Sequence, residues 1–223
     1  TRCSAILQTK TDNVLIDTSP DLRDQLIKNR INNIDKVLYS HMHADQTHGI
    51  NDLRVFFIKK RKPIPIYADK NTKKYLSKAF SYCFKNSNKE YPAILKMNLI
   101  KDNFLIKNGK KNIKVKSVKV QHGKVDCMCY IFDKKLAYIS DVSKIHKKDY
   151  RFFKKLKYLI IDCLWYKNHP SHLNLEQSLE LIKIFSPKKA ILTNLHSEFD
   201  YKILKSKLPK NIVPAHDGLK LYF

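Results

Sequence analysis

Three histidines and one aspartate lie close together in the segment SHMHADQTHG, which covers residues 40–49. His41 and His43 are two positions apart, so an extended backbone directs both imidazoles to the same side, and Asp45 continues this spacing. Imidazole nitrogens combined with a carboxylate oxygen are ligands that zinc, manganese and iron accept in proteins. The segment therefore predicts a metal site. Gln46 follows Asp45, where a further ligand would be most useful, and offers only a neutral amide.

Further polar residues stand where apolar, strand-like runs end. His122 follows KVKSVKVQ, Asp141 follows LAYIS, and His196 follows AILTN. Polar residues at the ends of neighbouring strands converge on one edge of a sheet, which is where α/β folds place their sites. The positions of these residues therefore predict a single site that includes SHMHADQTHG.

Strand-like and helix-like segments alternate along the chain. SPDLRDQLIKNR, NTKKYLSKAFSYCF and NLEQSLELIKIF predict helices, whereas DKVLYS, PIPIYA, LKYLIIDCLW and KKAILTNLH predict strands. YIFDKKLAYISD predicts a hairpin that turns at residues 133–135, and GLKLYF predicts a closing strand. Two similar halves with mixed sheets and outer helices predict an α/β protein, a four-layer αββα sandwich that forms one domain over residues 1–223.

The motifs resemble those of the metallo-β-lactamase-fold hydrolases. HMHADQTHG is similar to their HxHxDH signature, and the order of the later motifs also fits. The branch that the chain resembles most is PhnP-like, the phosphoribosyl cyclic phosphate phosphodiesterases, and more distantly tRNase Z. The resemblance runs from about Cys3 to the end and lacks the family's opening strand. The motifs that carry it are LIDTSPDL with Asp17, QHGK with His122, ISDV with Asp141, and ILTNLH with His196.

This resemblance implies a centre of two divalent metal ions, zinc or manganese, between the two sheets. The first ion would be held by His41, His43 and His122, and the second by Asp45, His196 and a shared Asp141. A hydroxide bridging the ions would attack phosphorus, oriented by Asp45 and Asp141. His172, at the predicted start of a helix in PSHLNLEQ, would be a general acid or would bind phosphate.

Two departures from the family pattern affect the second ion. Gln46 occupies the last histidine position of HxHxDH, and TNLH places His196 two positions later than the histidine of LTH-type relatives, where this chain has Asn194. We expect the second ion to bind weakly. A degenerate relative without activity is an alternative that follows from Gln46.

The charge of the chain limits the partners to be considered. The formal net charge is +24, from 38 Lys and 6 Arg among the basic residues, which indicates an anionic partner. The lysines are scattered and arginine, the better phosphate ligand, is scarce. Together with the phosphodiester hydrolysis that the resemblance implies, this favours a small cyclic or nucleotide-like phosphodiester as the predicted substrate. The alternatives are a tRNase Z-like RNA-processing nuclease and a hydrolase of a non-phosphate ester or thioester on the same metal centre.

The cysteines and the apolar runs bear on location. There are 5 Cys and no CxxC pair, which is typical of a reduced, cytoplasmic protein. No apolar run reaches the roughly 18 residues needed to cross a membrane, so no membrane partner is expected. A homodimer is compatible with this interpretation.

Overall fold

The structure is a computed structural model that describes residues 1–86 and 91–223. Its chain forms two compact units, the first made of residues 1–101 and 106–112 and the second of residues 102–105 and 113–223. Each unit has a hydrophobic core of its own. Among the described residues, no helix is both long and apolar enough to span a bilayer.

The first unit contains a five-stranded sheet in the order β1-β2-β3-β4-β5, in which only the β1–β2 pair is antiparallel. Along the fourth strand, Ile64, Ile66 and Ala68 alternate into the core, as the period of two in PIPIYA predicts. The strands are β1 Ala5–Gln8, β2 Asn13–Ile16, β3 Lys36–Leu38, β4 Ile64–Ala68 and β5 Leu95–Leu99. The helices are α1 Leu22–Lys28, α2 Ala44–Thr47, α3 Arg54–Lys60 and α4 Lys70–Ala79.

The second unit contains a seven-stranded sheet in the order β12-β11-β10-β9-β8-β7-β6. Its strands are β6 Asn103–Ile106, β7 Ile113–His122, β8 Val125–Phe132, β9 Leu136–Ile139, β10 Tyr158–Asp162, β11 Lys189–Thr193 and β12 Ile212–Pro214. Its helices are α5 Leu175–Phe185 and α6 Tyr201–Lys207. A capping box begins α5, because Asn174 accepts from the Gln177 backbone and the Gln177 side chain accepts from the Asn174 backbone.

The direction of the strands in the second unit determines where its polar residues meet. β7 and β9 are each antiparallel to β8, so they run the same way, and β10, β11 and β12 are parallel to β9. Five strands therefore end at one edge of this sheet. This is the edge at which α/β sheets hold their ligands.

The predicted α/β class with mixed sheets and helices is confirmed. The predicted hairpin is also confirmed, with Asp133 and Lys134 in the left-handed region where β8 turns into β9. The predicted closing strand GLKLYF is wrong. These residues form no ladder in the structure, and Leu219 donates its amide hydrogen to the His216 carbonyl oxygen in a turn. An apolar alternation makes a strand only where a neighbouring strand offers hydrogen-bonding partners.

Candidate metal centre

A group of three metal-ligating side chains lies at the shared strand edge of the second unit. His122 ends β7, Asp141 follows β9 by two positions, and His172 lies in the loop between β10 and α5. One ligand atom from each lies within 4.8 Å of the others. The Nε2 atoms of His122 and His172 are 3.9 Å and 4.0 Å from Asp141 Oδ2. Zinc bonds of about 2.0–2.2 Å need ligand atoms about 3.4 Å apart. The two Nε2 atoms would therefore have to lie slightly closer to Asp141 Oδ2 to share a zinc ion with it.

The two imidazoles of this group are held so that Nε2 is the ligating nitrogen. His122 Nδ1 is 2.6 Å from the Ser171 carbonyl oxygen, and His172 Nδ1 is 2.8 Å from Asp162 Oδ2. A carbonyl or carboxylate oxygen accepts, so Nδ1 carries a proton in both rings, and in the neutral tautomer the lone pair is then on Nε2. Such outer partners fix the tautomer and ring orientation of metal-binding histidines. The residues present therefore fit a divalent cation.

Gly123 allows the contact between His122 and Ser171. Its φ is +60°, and a Cβ at this position would lie 2.8 Å from the Ser171 Cβ. A side chain would therefore push away the segment whose carbonyl holds the His122 ring. The glycine beside the predicted ligand is thus explained by close approach as well as by backbone conformation.

Asp162 and Asn194 complete the second unit's cluster, and neither was predicted as a site residue. Asp162 is fully buried, and its Oδ2 also accepts from the Val142 backbone at 3.0 Å. Asn194 donates from Nδ2 to Asp162 Oδ1 at 3.3 Å. Burial raises the pKa of Asp162, and the hydrogen bond and charge of His172 oppose that rise. An aspartate at the carboxyl end of the apolar strand YLIID was the available sequence signal, because a buried carboxylate needs partners.

In the first unit, β3 leads into the predicted histidine pair. His41 Nε2 is 2.9 Å from His43 Nδ1, and the two rings meet edge to face at 4.5 Å between centroids. His41 Nδ1 is 3.0 Å from Ser40 Oγ, and the Ser40 backbone donates to Asp17 Oδ1 at 2.7 Å. Asp17 therefore lies behind a predicted metal ligand. Its carboxylate holds the backbone of Ser40, and the Ser40 hydroxyl contacts the ligand imidazole.

Among the described residues, the groups of side chains that could hold a metal ion include neither Asp45 nor His196. Asp45 lies beside the pair, but its Oδ2 accepts from Gln46 Nε2 at 2.9 Å. His196 is exposed, packs its ring on Trp165 at 5.2 Å, and accepts at Nδ1 from the Glu198 backbone at 3.2 Å. In the second unit it is His172, predicted as an acid or phosphate ligand, that joins His122 and Asp141.

Comparisons with known proteins agree with the motifs. A family model of the β-lactamase superfamily domain matches residues 12–194. A diphosphatase of the PhnP family is 30% identical, with all of this chain and 84% of that chain covered and a TM-score of 0.88. The short form of human tRNase Z is 14% identical, with 98% and 91% covered and a TM-score of 0.70.

A curated relative is an octanoyltransferase of Porphyromonas gingivalis, strain ATCC BAA-308 / W83. It is 28% identical over 99% of this chain. The chain spans only 44% of that relative's length. The superfamily match and the 30% identity to a PhnP-family protein show that the chain belongs to the metallo-β-lactamase-fold, metal-dependent hydrolases, in their PhnP-like branch.

Proposed function

We propose that this protein is a metal-dependent phosphodiesterase that cleaves a small cyclic or nucleotide-like phosphodiester. The observation that carries the proposal is the group His122, Asp141 and His172, whose ligand atoms lie within 4.8 Å of one another. Outer partners hold Nδ1 of both imidazoles, and both Nε2 atoms lie within 4.0 Å of the buried Asp141 carboxylate, which is a donor set that a divalent cation accepts.

The proposed cation, zinc or manganese, is held in the second unit by His122, Asp141 and His172. His41 and His43 of the first unit remain predicted ligands. A bound divalent cation supplies Lewis-acid stabilisation of phosphoryl oxygens and lowers the pKa of water. The chain's own residues do the rest. Asp162 and Ser171 hold the imidazoles by Nδ1, and Asp141, only 2% exposed, would offer its carboxylate to the cation.

His172 is reassigned in this proposal from general acid to metal ligand. Its Nε2 lies at nearly the same distance from Asp141 Oδ2 as that of His122. His172 is also partly exposed, with 13% of its side chain accessible. His196, engaged with Trp165, is left outside the proposed ligand set.

The proposed substrate is small and anionic, and the proposed location is the cytoplasm. The net charge of +24 attracts phosphate esters over a long range. The relative that is 30% identical is a diphosphatase, so a phosphorus-centred hydrolysis is the natural first test. RNA is the alternative, since the short form of human tRNase Z shares the fold, but the scattered lysines favour a small molecule.

The experiment measures metal content and activity on the same purified protein. We expect bound zinc or manganese and hydrolysis of bis(p-nitrophenyl) phosphate or a member of a panel of cyclic phosphates. Asp141→Ala should lose both. Asp126→Ala is the matched control, because Asp126 forms a surface ion pair with Lys119 at 2.9 Å. A folded wild type without bound metal, and with activity equal to that of Asp141→Ala, would refute the proposal.

Two further assays separate the alternatives. Cleavage of precursor RNA with an affinity that falls steeply with salt would favour the nuclease. Turnover of a thioester but not of any phosphodiester would favour the non-phosphate hydrolase. If metal is bound, either outcome would support the proposed metal centre and change the proposed substrate.

A further inference from the structure

An amide side chain hydrogen-bonds to the carboxylate of Asp45 in the first unit. Gln46 is fully buried, and its Nε2 donates to Asp45 Oδ2 at 2.9 Å. An ionised carboxylate can only accept, so the part of the amide that faces it must be the NH₂ group. This group carries positive partial charge and no available lone pair. It stabilises the Asp45 carboxylate by a hydrogen bond, and the nitrogen itself cannot bind a cation.

The second unit repeats this arrangement. Asn194 donates from Nδ2 to Asp162 Oδ1, and the same nitrogen lies 3.3 Å from His172 Nδ1. The amide therefore faces the outer side of His172, away from the Nε2 that lies near Asp141. It strengthens the support of one metal ligand and adds no ligand itself.

The positions of the two amides make the arrangement informative. Positions 46 and 194 are those at which the HxHxDH and LTH motifs have histidine, a lone-pair donor able to bind a metal. In this chain both carry an NH₂ group bonded to a carboxylate. His196, the other candidate for a second ion, is packed on Trp165 and accepts from the Glu198 backbone. Two histidine positions are thus converted in the same way, from ligands to hydrogen-bond donors.

We infer that this chain binds one metal ion and not two, with Gln46 and Asn194 acting as caps on Asp45 and Asp162. The inference rests on the proposed function for the ion that is bound. It requires the single ion to include His122, Asp141 and His172 among its ligands. It also assigns Asp45 the role of a partly buried acceptor in the loop after β3.

The test is to restore histidine and count the ions. Wild type, Gln46→His, Asn194→His and the double variant are loaded with manganese or zinc, desalted, and analysed by mass spectrometry of the metal. We expect about one ion per chain in the wild type and about two in the double variant. Electron paramagnetic resonance of the manganese forms gives an independent readout. An isolated ion keeps its resolved hyperfine signal, whereas two ions about 3.5–4 Å apart couple to each other.

Histidine added elsewhere controls for adventitious binding. Gln8→His and Asn211→His change exposed amides in the first and second unit and should leave the ion count at about one. Two ions in the wild type with a coupled spectrum would overturn the inference while leaving the proposed phosphodiesterase intact. A double variant that still binds one ion would also overturn it. A folded wild type with no ion at all would refute both, and loss of the ion in His172→Ala but not in His196→Ala would support both.

Discussion

Asp162→Asn is the substitution that tests how the second unit prepares its histidine ligands. The change keeps the size of the side chain and removes its charge. Asp162 Oδ2 accepts from His172 Nδ1 at 2.8 Å and from the Val142 backbone at 3.0 Å, and Oδ1 accepts from Asn194 at 3.3 Å. An asparagine has only one acceptor oxygen, so it must lose contacts on one side or the other.

The expected magnitude follows from these contacts. If the new amide oxygen takes the Oδ2 position, His172 keeps a partner, but a hydrogen bond to a charged acceptor becomes one to a neutral acceptor. That difference is about 1–1.5 kcal/mol. If the NH₂ group takes that position, two donors lose their acceptor and the cost roughly doubles. Metal affinity should therefore fall about 10-fold to 100-fold, which is also the range for losing an outer partner of a ligand histidine.

The assay is competition for zinc with a chromophoric chelator, combined with urea denaturation of the metal-free protein. Because the variant leaves at least one buried donor without its acceptor, the metal-free fold should also lose about 1–3 kcal/mol, which the denaturation measures separately from zinc affinity. Asp126→Asn, at a surface ion pair, should change neither quantity. Unchanged zinc affinity in a folded Asp162→Asn variant would refute the view that Asp162 positions His172.

Two further substitutions test the first unit. Gly49→Ala would place a Cβ 2.0 Å from the Ser19 carbonyl oxygen, so we expect a loss of about 2 kcal/mol or more in urea denaturation, and a loss under about 0.5 kcal/mol would contradict this packing. For Asp35, burial acts to raise the pKa, but hydrogen bonds from Asn13 and Lys60 outweigh it and hold the pKa below 3.8. The stability that ionised Asp35 contributes is then present above about pH 4 and lost as pH falls through its folded-state pKa. Asp35→Asn should thus be less stable than wild type by about 1 kcal/mol at pH 7, with the two denaturation curves converging below pH 4.

Polar residues that directly follow apolar, strand-like runs were the sequence signal for several candidate site residues. His41, His122 and Asp141 are candidates because each follows an apolar run. The parallel direction of β7 and β9 places His122 and Asp141 at one edge of the second unit's sheet, and His41 follows β3 in the first unit. Apolar periodicity also located α5 and the β8–β9 hairpin correctly. These features depend on local pattern and on backbone direction, both of which a sequence carries.

The choice between His172 and His196 could not be made in that way. Both are histidines in loops that follow parallel strands, β10 and β11. What separates them is the surroundings of each ring. A buried carboxylate holds His172 inward, whereas an indole and a backbone amide hold His196 outward. Such surroundings come from residues distant in sequence, and Asp162 was not recognised because a single aspartate after an apolar run is a common strand ending.

In both units, a residue with left-handed backbone conformation places a polar side chain beside the end of a neighbouring strand. Asp17 follows β2 and Asn194 follows β11, each with φ of 61°, and each side chain bonds at the end of the adjacent strand. A left-handed residue that is not glycine is strained, but least so for Asn, Asp and His. Histidine at position 194 is therefore compatible with the backbone that asparagine adopts there. The exchange of the two changes the ligand without changing the fold, which is why Asn194→His can report on the number of metal ions.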